Sequence, residues 1–213
     1  MANEKSKVKR VPKRGRYDKE TIHGILDNNR ICHVAFIHQG VPFSIPTIYA
    51  RDENKIYLHG ASVSRMLVEL DKGIDMCLSV ASVEALVLAR SAFHHSMNYH
   101  SAVVFGKGKS IEDEKEKLHA LKVITEKLVP GRWEDARQPN PIEMKATKVI
   151  AIEIEDASAK IRNEGVGDEK EDYDLDVWAG LVPINNDLQA PISDDKLKEG
   201  IEIPDYIKKL VEK

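Results

Sequence analysis

The chain has 213 residues, of which 42% are apolar and 31% are charged. Its 32 Lys and Arg residues against 35 Asp and Glu give a net charge of −3, which argues against binding nucleic acid or anionic membranes through bulk charge. It contains no run of 18 apolar residues, so we expect no membrane span. The N-terminus lacks the apolar core of a secretory signal, and the only cysteines are Cys32 and Cys77, so we expect a cytoplasmic location.

The first 16 residues form a basic segment that we predict to be a flexible arm, because it offers almost nothing apolar to bury. A nucleic-acid-binding arm is the alternative, but aromatic side chains for stacking on bases are absent before Tyr17. We therefore expect neither nucleic acid nor a membrane as a partner. The seven cationic side chains of the segment are Lys5, Lys7, Lys9, Arg10, Lys13, Arg14 and Arg16.

From Asp18 onward the pattern is that of a folded domain. Asp18 is a favourable N-cap, and Ile22, Ile25 and Leu26 recur at helical spacing, which predicts a helix that ends near residue 28. Helices are also predicted at residues 62–70 and 110–129. Apolar stretches bounded by turn residues predict strands, in chain order, at residues 31–37, 41–50, 55–58, 74–80, 85–89, 99–107 and 147–154.

The remaining stretches are predicted to be irregular. Residues 130–141 have the composition of a loop, and the acidic residues 164–176 indicate a solvated excursion. Many short strands with few helices predict a mainly β fold, a small barrel, whereas a doubly wound parallel sheet would need regular strand–helix alternation. We divide the chain into the arm at 1–16, a barrel domain at 17–184 and a C-terminal helical extension at 185–213, with short helical pieces at 195–199 and 204–211.

The stretch from Ile56 to Arg65 is the most informative for chemistry. A predicted strand ends, Gly60 permits a turn, and a predicted helix begins with Ser62, Ser64 and Arg65. Unpaired N–H groups at a helix start favour an anion, and a guanidinium can donate charge-assisted hydrogen bonds to phosphate. The alternative is structural: Ser62 only caps the helix and Arg65 is solvated.

Two other patterns are weaker. Gly108-Lys109-Ser110 resembles the end of a nucleotide-binding loop, but Val103 stands where that loop requires glycine, so nucleoside-triphosphate chemistry is disfavoured. His94, His95 and His100 cluster in the sequence without a nearby cysteine. They indicate either an axial haem or metal ligand or, more commonly, histidines that make hydrogen bonds in a loop.

Considered together, these segments resemble the flavin-binding relatives of pyridoxamine 5′-phosphate oxidase, in the branch of nitroimidazole-resistance-type proteins. The resemblance runs in order along nearly the whole chain from Arg10. It is carried by residues 14–18 (RGRYD), 45–50 (IPTIYA), 56–65 (IYLHGASVSR), 86–99 (LVLARSAFHHSMNY), 130–133 (PGRW), 157–160 (ASAK), 177–180 (VWAG), 200–201 (GI) and 204–206 (PDY).

The resemblance implies a split β-barrel that forms a homodimer, with FMN bound in clefts between the subunits. It places Ser64 and Arg65 at the FMN phosphate, and His59 and Gly60 beside the ribityl chain and phosphate. Ser101 would face the flavin. The backbone along the isoalloxazine edge would come from Pro46, Thr47, Ile48 and Tyr49, where Pro46 has no N–H to donate.

The resemblance implies three further cofactor-binding residues, namely Met66, His100 and Trp178. Relatives carry arginine after the Asn-Tyr pair, whereas this chain has His100, and Met66 stands where the oxidases carry a basic residue. These two losses of charge argue against pyridoxamine phosphate as the substrate. Trp178 is either plain core packing or a flat surface that covers the flavin ring.

We therefore expect an FMN-dependent oxidoreductase that passes reducing equivalents from NADH or NADPH to a small-molecule acceptor. The chemistry would reside in the flavin, which is consistent with the lack of a catalytic constellation in the sequence. One alternative is a flavin-binding protein without turnover. The other is a haem-binding or haem-degrading relative that uses a histidine such as His94 or His95.

Overall fold

A computed structural model describes residues 4–212, and within them the chain forms a mainly antiparallel β structure with six helices. The strands are β1 (Gly15–Arg16), β2 (Ile31–His38), β3 (Val41–Ile48), β4 (Ala50–Asp52), β5 (Lys55–Ala61), β6 (Asp75–Leu88), β7 (Ser96–Ser110), β8 (Thr147–Glu153), β9 (Asp156–Arg162) and β10 (Gly180–Pro183). The helices are α1 (Lys19–Asn28), α2 (Arg65–Asp71), α3 (Glu114–Leu128), α4 (Arg132–Asp135), α5 (Pro141–Ala146) and α6 (Asp205–Val211).

The sheet curls into a barrel that does not close. Its main path has the order β3-β2-β6-β7-β8-β5-β4, while β9 joins β7 to β1 and β10 adds to β6. The two ends of the path, β3 and β4, are consecutive in the chain and are separated only by Tyr49. The predicted split β-barrel is therefore confirmed, and the split lies where the chain passes from one edge strand to the other.

The core fills the barrel and explains the helix positions. In β2, Cys32, Val34 and Phe36 alternate with exposed or half-buried residues and point inward. Helix α1 closes one side with Ile22, Ile25 and Leu26. These six side chains belong to one buried cluster, together with Tyr49, Ile56, Leu58, Met66, Leu67, Leu70, Met76, Leu78, Val80, Ala102, Val104, Ile150, Ile152 and Ala159.

Strand β7 changes its pairing partner along its length, and this bends the barrel. Residues 99–105 pair with β9, whereas residues 108–110 pair with β8. Gly106 lies between them, and a Cβ there would come within 2.3 Å of the carbonyl oxygen of Glu153. Glycine is required because the backbones approach so closely. The sequence predicted a bulge or bend at Gly106 and Gly108; the structure has there a change of pairing partner, and the ladder with β6 continues through Lys107 without a register shift.

Several element boundaries differ from the predictions. The two strands predicted at residues 74–80 and 85–89 are parts of one long strand, β6 (Asp75–Leu88), whose ladder with β7 shifts register between Val83 and Ala85. Asp113, rather than Ser110, caps α3 by accepting a hydrogen bond from the Glu116 N–H. The predicted loop at 130–141 contains α4 and is followed by α5, which Asn140 and Glu143 begin with a capping box.

The two ends of the chain differ from the predictions in opposite ways. Residues 4–16, predicted as a flexible arm, lie against the barrel, with Gly15 and Arg16 paired to β9 as strand β1. In the C-terminal extension, residues 195–199 are not helical, and the structure has one helix there, α6. That helix is anchored because the Tyr206 hydroxyl donates to Asp135 and accepts from Arg132. In residues 4–212 no helix is long and apolar enough to cross a membrane.

Candidate functional site

The strand predicted to line a flavin is at an open edge of the sheet. Strand β3 pairs on one side with β2 and ends the sheet path on the other, so part of its backbone is unpaired within residues 4–212. Pro42 and Pro46 suit an edge strand because neither has an N–H to donate to a ladder. Pro46 is exposed, whereas Thr47 and Ile48 are half-buried. Free backbone groups from Thr47 onward are therefore available to a ligand.

Tyr49 at the split of the barrel has a structural side chain. It is fully buried, and its hydroxyl donates a 2.5 Å hydrogen bond to the carbonyl oxygen of Leu26. Lys127 from α3 donates to the same carbonyl at 3.0 Å, and its ammonium lies 3.4 Å from the centre of the Tyr49 ring. Burial lowers the pKa of Lys127 to about 8. Only the backbone of Tyr49 is placed to contact a ligand at β3.

The end of β5 leaves one buried polar atom without a partner. The Nδ1 atom of His59 is buried and has no hydrogen bond within residues 4–212. Burial lowers the pKa of His59, so the ring is neutral at neutral pH. Gly60 follows, and a Cβ there would come within 3.2 Å of Leu67. An unsatisfied imidazole atom beside a tight glycine is consistent with a missing polar ligand.

Arg65 begins helix α2 and is the exposed cation of this turn. The Arg65 guanidinium lies 4.9 Å from the centre of the Phe43 ring on β3, so it connects the turn to strand β3. Helix α2 has only seven residues, and its N-cap Ser64 makes no side-chain capping bond. Ser62 does not cap the helix, because the N-cap position belongs to Ser64; the Ser62 N–H donates to the Ala146 carbonyl. Met66 is 5% exposed and packs in the core, so its side chain faces away from solvent.

His100 and Ser101 lie on a different wall of the barrel. His100 is half-exposed and its Nδ1 lies 3.8 Å from the Glu84 carboxylate. The Ser101 hydroxyl donates to the Lys160 carbonyl at 3.2 Å on the neighbouring strand β9. No hydrogen bond or ion pair among the described residues joins either side chain to the turn at residues 59–66. The structure therefore does not bring these two predicted residues together with Arg65 inside one subunit.

Trp178 is mostly exposed and belongs to an apolar surface. Its indole folds over Gly180, where an added Cβ would approach the ring within 2.8 Å. Trp178 is 67% exposed, which excludes simple core packing in the isolated chain. We call the surrounding surface the β6–β10 face; its members are each at least 40% exposed and are Leu86, Met97, Trp178 and Val182, since Leu86 pairs with Met97 of β7 and with Val182 of β10.

The loop between β6 and β7 holds a histidine in a defined tautomer. The His95 Nδ1 atom lies 3.0 Å from the carbonyl oxygen of Ser91. A carbonyl can only accept, so Nδ1 must carry the proton and the neutral ring has its lone pair on Nε2. His95 is exposed, whereas the Nε2 atom of neighbouring His94 lies 3.5 Å from the Glu169 carboxylate. His95 therefore has the arrangement in which a histidine ligates a metal through Nε2.

A single carboxylate fixes the start of that loop. Asp168 accepts hydrogen bonds from the backbone N–H groups of Arg90 and Ser91 and from the Arg90 guanidinium. Burial acts to raise the pKa of Asp168, but these hydrogen bonds outweigh it and hold the pKa below its usual value. Tyr173 packs against the Arg90 guanidinium at 4.9 Å. The acidic segment, predicted as a solvated excursion, therefore holds the histidine loop in place.

A cavity of about 490 Å³ opens beside the histidine loop. Its lining includes His94, His95 and the exposed ring of Phe93, together with Arg14 and Arg162. Both arginines are engaged, Arg14 with the Glu164 carboxylate and Arg162 with Asn98 and the Glu164 backbone. Within residues 4–212 no group of three His, Cys, Asp or Glu side chains could hold a metal ion.

A model of the family described as pyridoxamine 5′-phosphate oxidase matches residues 18–161 of the chain. The chain belongs to this family. None of the curated proteins compared with it matches.

Two solved structures match almost the whole of this chain, and a third matches about two thirds of it. The flavocytochrome Anf3 from Azotobacter vinelandii is 35% identical to it, covers 97% of this chain and 96% of its own, and superposes with a TM-score of 0.91. An FAD- and haem-binding protein from Mycobacterium smegmatis is 28% identical over 93% of this chain and 97% of its own, with a TM-score of 0.89. A candidate 5-nitroimidazole antibiotic resistance protein from Bacteroides thetaiotaomicron, at 23% identity, 69% and 87% coverage and a TM-score of 0.59, shares the fold.

The sequence did not reveal two of the residues that position these sites. Lys127 lies 101 residues from the Leu26 carbonyl that it contacts, so no local pattern connects them. Asp168 is one of many carboxylates in an acidic stretch, and only its contact with Arg90 distinguishes it.

Proposed function

We propose that this chain is a flavocytochrome-like oxidoreductase that binds a flavin at the turn of residues 59–66 and a haem at His95. Two structures that cover more than nine-tenths of the chain are described as a flavocytochrome and as an FAD- and haem-binding protein. The observation in this chain that carries the haem part is the His95 ring, whose Nδ1 proton is held by the Ser91 carbonyl so that Nε2 is free.

The proposed flavin site combines the edge of β3 with the turn after β5. Backbone groups of Thr47 and Ile48 would pair with the isoalloxazine edge, and Arg65 would donate to the phosphate next to the ribityl chain. This phosphate is common to FMN, which the sequence resemblance suggests, and to the FAD of the mycobacterial neighbour. The unpartnered Nδ1 atom of His59 supports a polar ligand group at this turn.

The proposed assembly is a cytoplasmic homodimer. The β6–β10 face leaves four large apolar side chains exposed, and a soluble chain seldom leaves such a surface uncovered. His100 and Ser101 lie on a different wall from Arg65, so they would contact the flavin of the partner subunit. Cys32 and Cys77 are free thiols, which is consistent with a reducing compartment.

When bound, the flavin would supply hydride chemistry and the haem single-electron chemistry. The protein's own residues bind and orient these groups, and no side-chain base is required. We propose NADH or NADPH as the electron donor and a small molecule as the acceptor.

Anaerobic titration tests this function. NADPH or NADH added under nitrogen should bleach the flavin absorption and then shift the haem band to its reduced position, in the protein as purified. If dithionite changes both bands and neither nicotinamide changes either one, the chain is a cofactor-binding protein without this donor. If the sample shows flavin but no haem after supplementation, the haem part of the proposal is wrong.

A further inference from the structure

The basic arm is folded back onto the outside of the barrel. Residues Gly15 and Arg16 pair with Lys160 and Ala159 of β9. Farther along the arm, the Val8 N–H donates to the Tyr17 hydroxyl at 2.9 Å, and Ser6 is 4% exposed. These contacts give the arm a fixed position before any ligand binds.

A cavity of about 310 Å³ lies between the arm and the sheet. Residues 5–10 of the arm form one wall, and the other is formed by alternate residues of two strands: Ser101, Val103 and Phe105 of β7 with Ser158 and Lys160 of β9. The residues between them, such as Ala102, Val104 and Ala159, point into the core. The cavity, which we call the arm cavity, is therefore outside the barrel and large enough for a small ligand.

The arm cavity is lined by cations and by no carboxylate. Five of its eleven lining residues are Lys or Arg, namely Lys5, Lys7, Lys9, Arg10 and Lys160. Lys9 is paired with Glu4 at 2.6 Å and Lys5 approaches Asp75 at 3.9 Å. Within residues 4–212 the structure gives Lys7, Arg10 and Lys160 no ion pair. A chain of net charge −3 thus concentrates uncompensated positive charge at one cavity, which attracts an anion.

The six other lining residues are three serines (Ser6, Ser101 and Ser158) and three apolar residues, and the apolar residues argue for more than a simple anion. Val8, Val103 and the Phe105 ring supply apolar surface beside the cations. Nucleotides present this combination, because the base needs an apolar or aromatic surface and the phosphates need Lys or Arg. Inorganic phosphate would use only the cationic half of the cavity.

We propose that the arm cavity binds the adenosine diphosphate part of a dinucleotide, with Lys7 and Arg10 at the diphosphate and Phe105 against the adenine. The choice of a dinucleotide rests on the proposed function, whose flavin and nicotinamide can both carry this group. The two sources are the adenosine diphosphate of a flavin held at the partner subunit's turn, in the homodimer proposed above, and that of a diffusible nicotinamide nucleotide.

The test is a calorimetric titration of ADP into the purified full-length protein. Wild type is compared with the double variant Lys7→Gln/Arg10→Gln and with the control Lys115→Gln/Lys196→Gln, which removes two equal charges from exposed positions elsewhere. Flavin is extracted from each protein and identified by chromatography. Pyrophosphate is titrated alongside ADP to measure the contribution of the base.

The expected result has one of two forms, which identify the source. If the nucleotide is diffusible, wild type binds ADP and the double variant binds it at least about tenfold more weakly, while the control is unchanged. If the flavin's own adenosine diphosphate occupies the cavity, wild type refuses ADP, and the double variant retains far less FAD than the control does.

Other results overturn the proposal in separable ways. If wild type binds no ADP and the double variant keeps its full FAD content, the arm cavity is not a nucleotide site. The retained flavin leaves the proposed function intact. If pyrophosphate binds with the same affinity as ADP, the adenine contributes nothing and the proposed contact with Phe105 is wrong. If wild type takes up no flavin when supplied with it, the proposed function is overturned. The ADP titration alone then tests whether the arm cavity binds a nucleotide.

Discussion

The turn at residues 59–66 and the loop at residues 90–95 are held by opposite means. The turn ends in α2, whose Met66, Leu67 and Leu70 are in the core, so its backbone is fixed by apolar packing. The histidine loop is on the surface and is fixed by one carboxylate, Asp168, and one carbonyl, that of Ser91. A site held by packing should tolerate loss of a surface charge without moving, whereas a site held by hydrogen bonds should shift when one is removed.

The largest expected effect is at the histidine loop. We expect His95→Ala to abolish the haem Soret band and to leave the flavin bands unchanged, because the only tautomer-fixed Nε2 of the loop is lost. The measurement is the absorption spectrum together with haem and flavin quantified per chain. His94→Ala is the matched control and should retain the Soret band, since the His94 Nε2 faces Glu169. If the His95 variant retained haem and the His94 variant lost it, His94 rather than His95 would be the haem ligand.

This contrast also explains what the sequence could predict. Alternation in residues such as Cys32, Val34 and Phe36 reflects local geometry, so the strands and the barrel were predictable. The order of the arm was not, because it depends on Tyr17 and β9 rather than on the arm's own composition. The role of Asp168 could not be predicted for the same reason: its partner Arg90 is 78 residues away.

The next effect tests the turn. We expect Arg65→Ala to weaken flavin binding roughly 10- to 100-fold, because a charged hydrogen bond to phosphate contributes about 1.5–3 kcal/mol. Titration of flavin into the protein, followed by fluorescence, measures the dissociation constant. The fold should be unaffected, since Arg65 is exposed and contacts Phe43 only through its guanidinium. Arg65→Lys should keep part of the affinity, and wild-type affinity in the alanine variant would remove Arg65 from the site.

A smaller effect is expected when the carboxylate that holds the loop is neutralised. Asp168→Asn keeps the shape but weakens the hydrogen bonds from Arg90 and Ser91, so the Soret band should shift or lose intensity while flavin content stays constant. Because its folded pKa lies below the usual aspartate value, the contribution of Asp168 is present above that value and is lost only as pH falls through the folded pKa. Spectra recorded from neutral to acid pH should therefore differ most between wild type and variant near neutral pH, and the difference should disappear as pH falls through the folded pKa of Asp168. Glu171→Gln is the exposed control, and equal effects of the two substitutions would contradict a specific role for Asp168.

Lys127, which packs against Tyr49 directly after strand β3, should make the stability of the fold depend on pH. Its pKa of about 8 lies below the ordinary value of 10.5, so the unfolded chain binds more protons between these values and stability should rise with pH in this window. Thermal unfolding of Lys127→Met, compared with wild type from pH 7 to 10, should lack this rise. Lys115→Met, at an exposed position of α3, should behave as wild type does. If the thermal stabilities of wild type and Lys127→Met changed with pH in the same way, the Lys127 ammonium would not be desolvated in the folded protein.

The smallest expected effect is a change in flavin fluorescence without a change in cofactor content. If Trp178 covers the flavin of a partner subunit, Trp178→Phe should increase flavin fluorescence, because an indole in contact with the ring quenches it. Trp133→Phe on α4 is the control and should leave the emission unchanged. Unchanged emission in the Trp178 variant would place the β6–β10 face away from the flavin.

The most direct test of the central claim is the absorption spectrum of the purified chain after incubation with excess flavin and haemin and removal of unbound cofactor. The account predicts flavin bands and a Soret band in the same protein, each near one equivalent per chain. A protein that keeps neither chromophore would contradict the assignment of both regions.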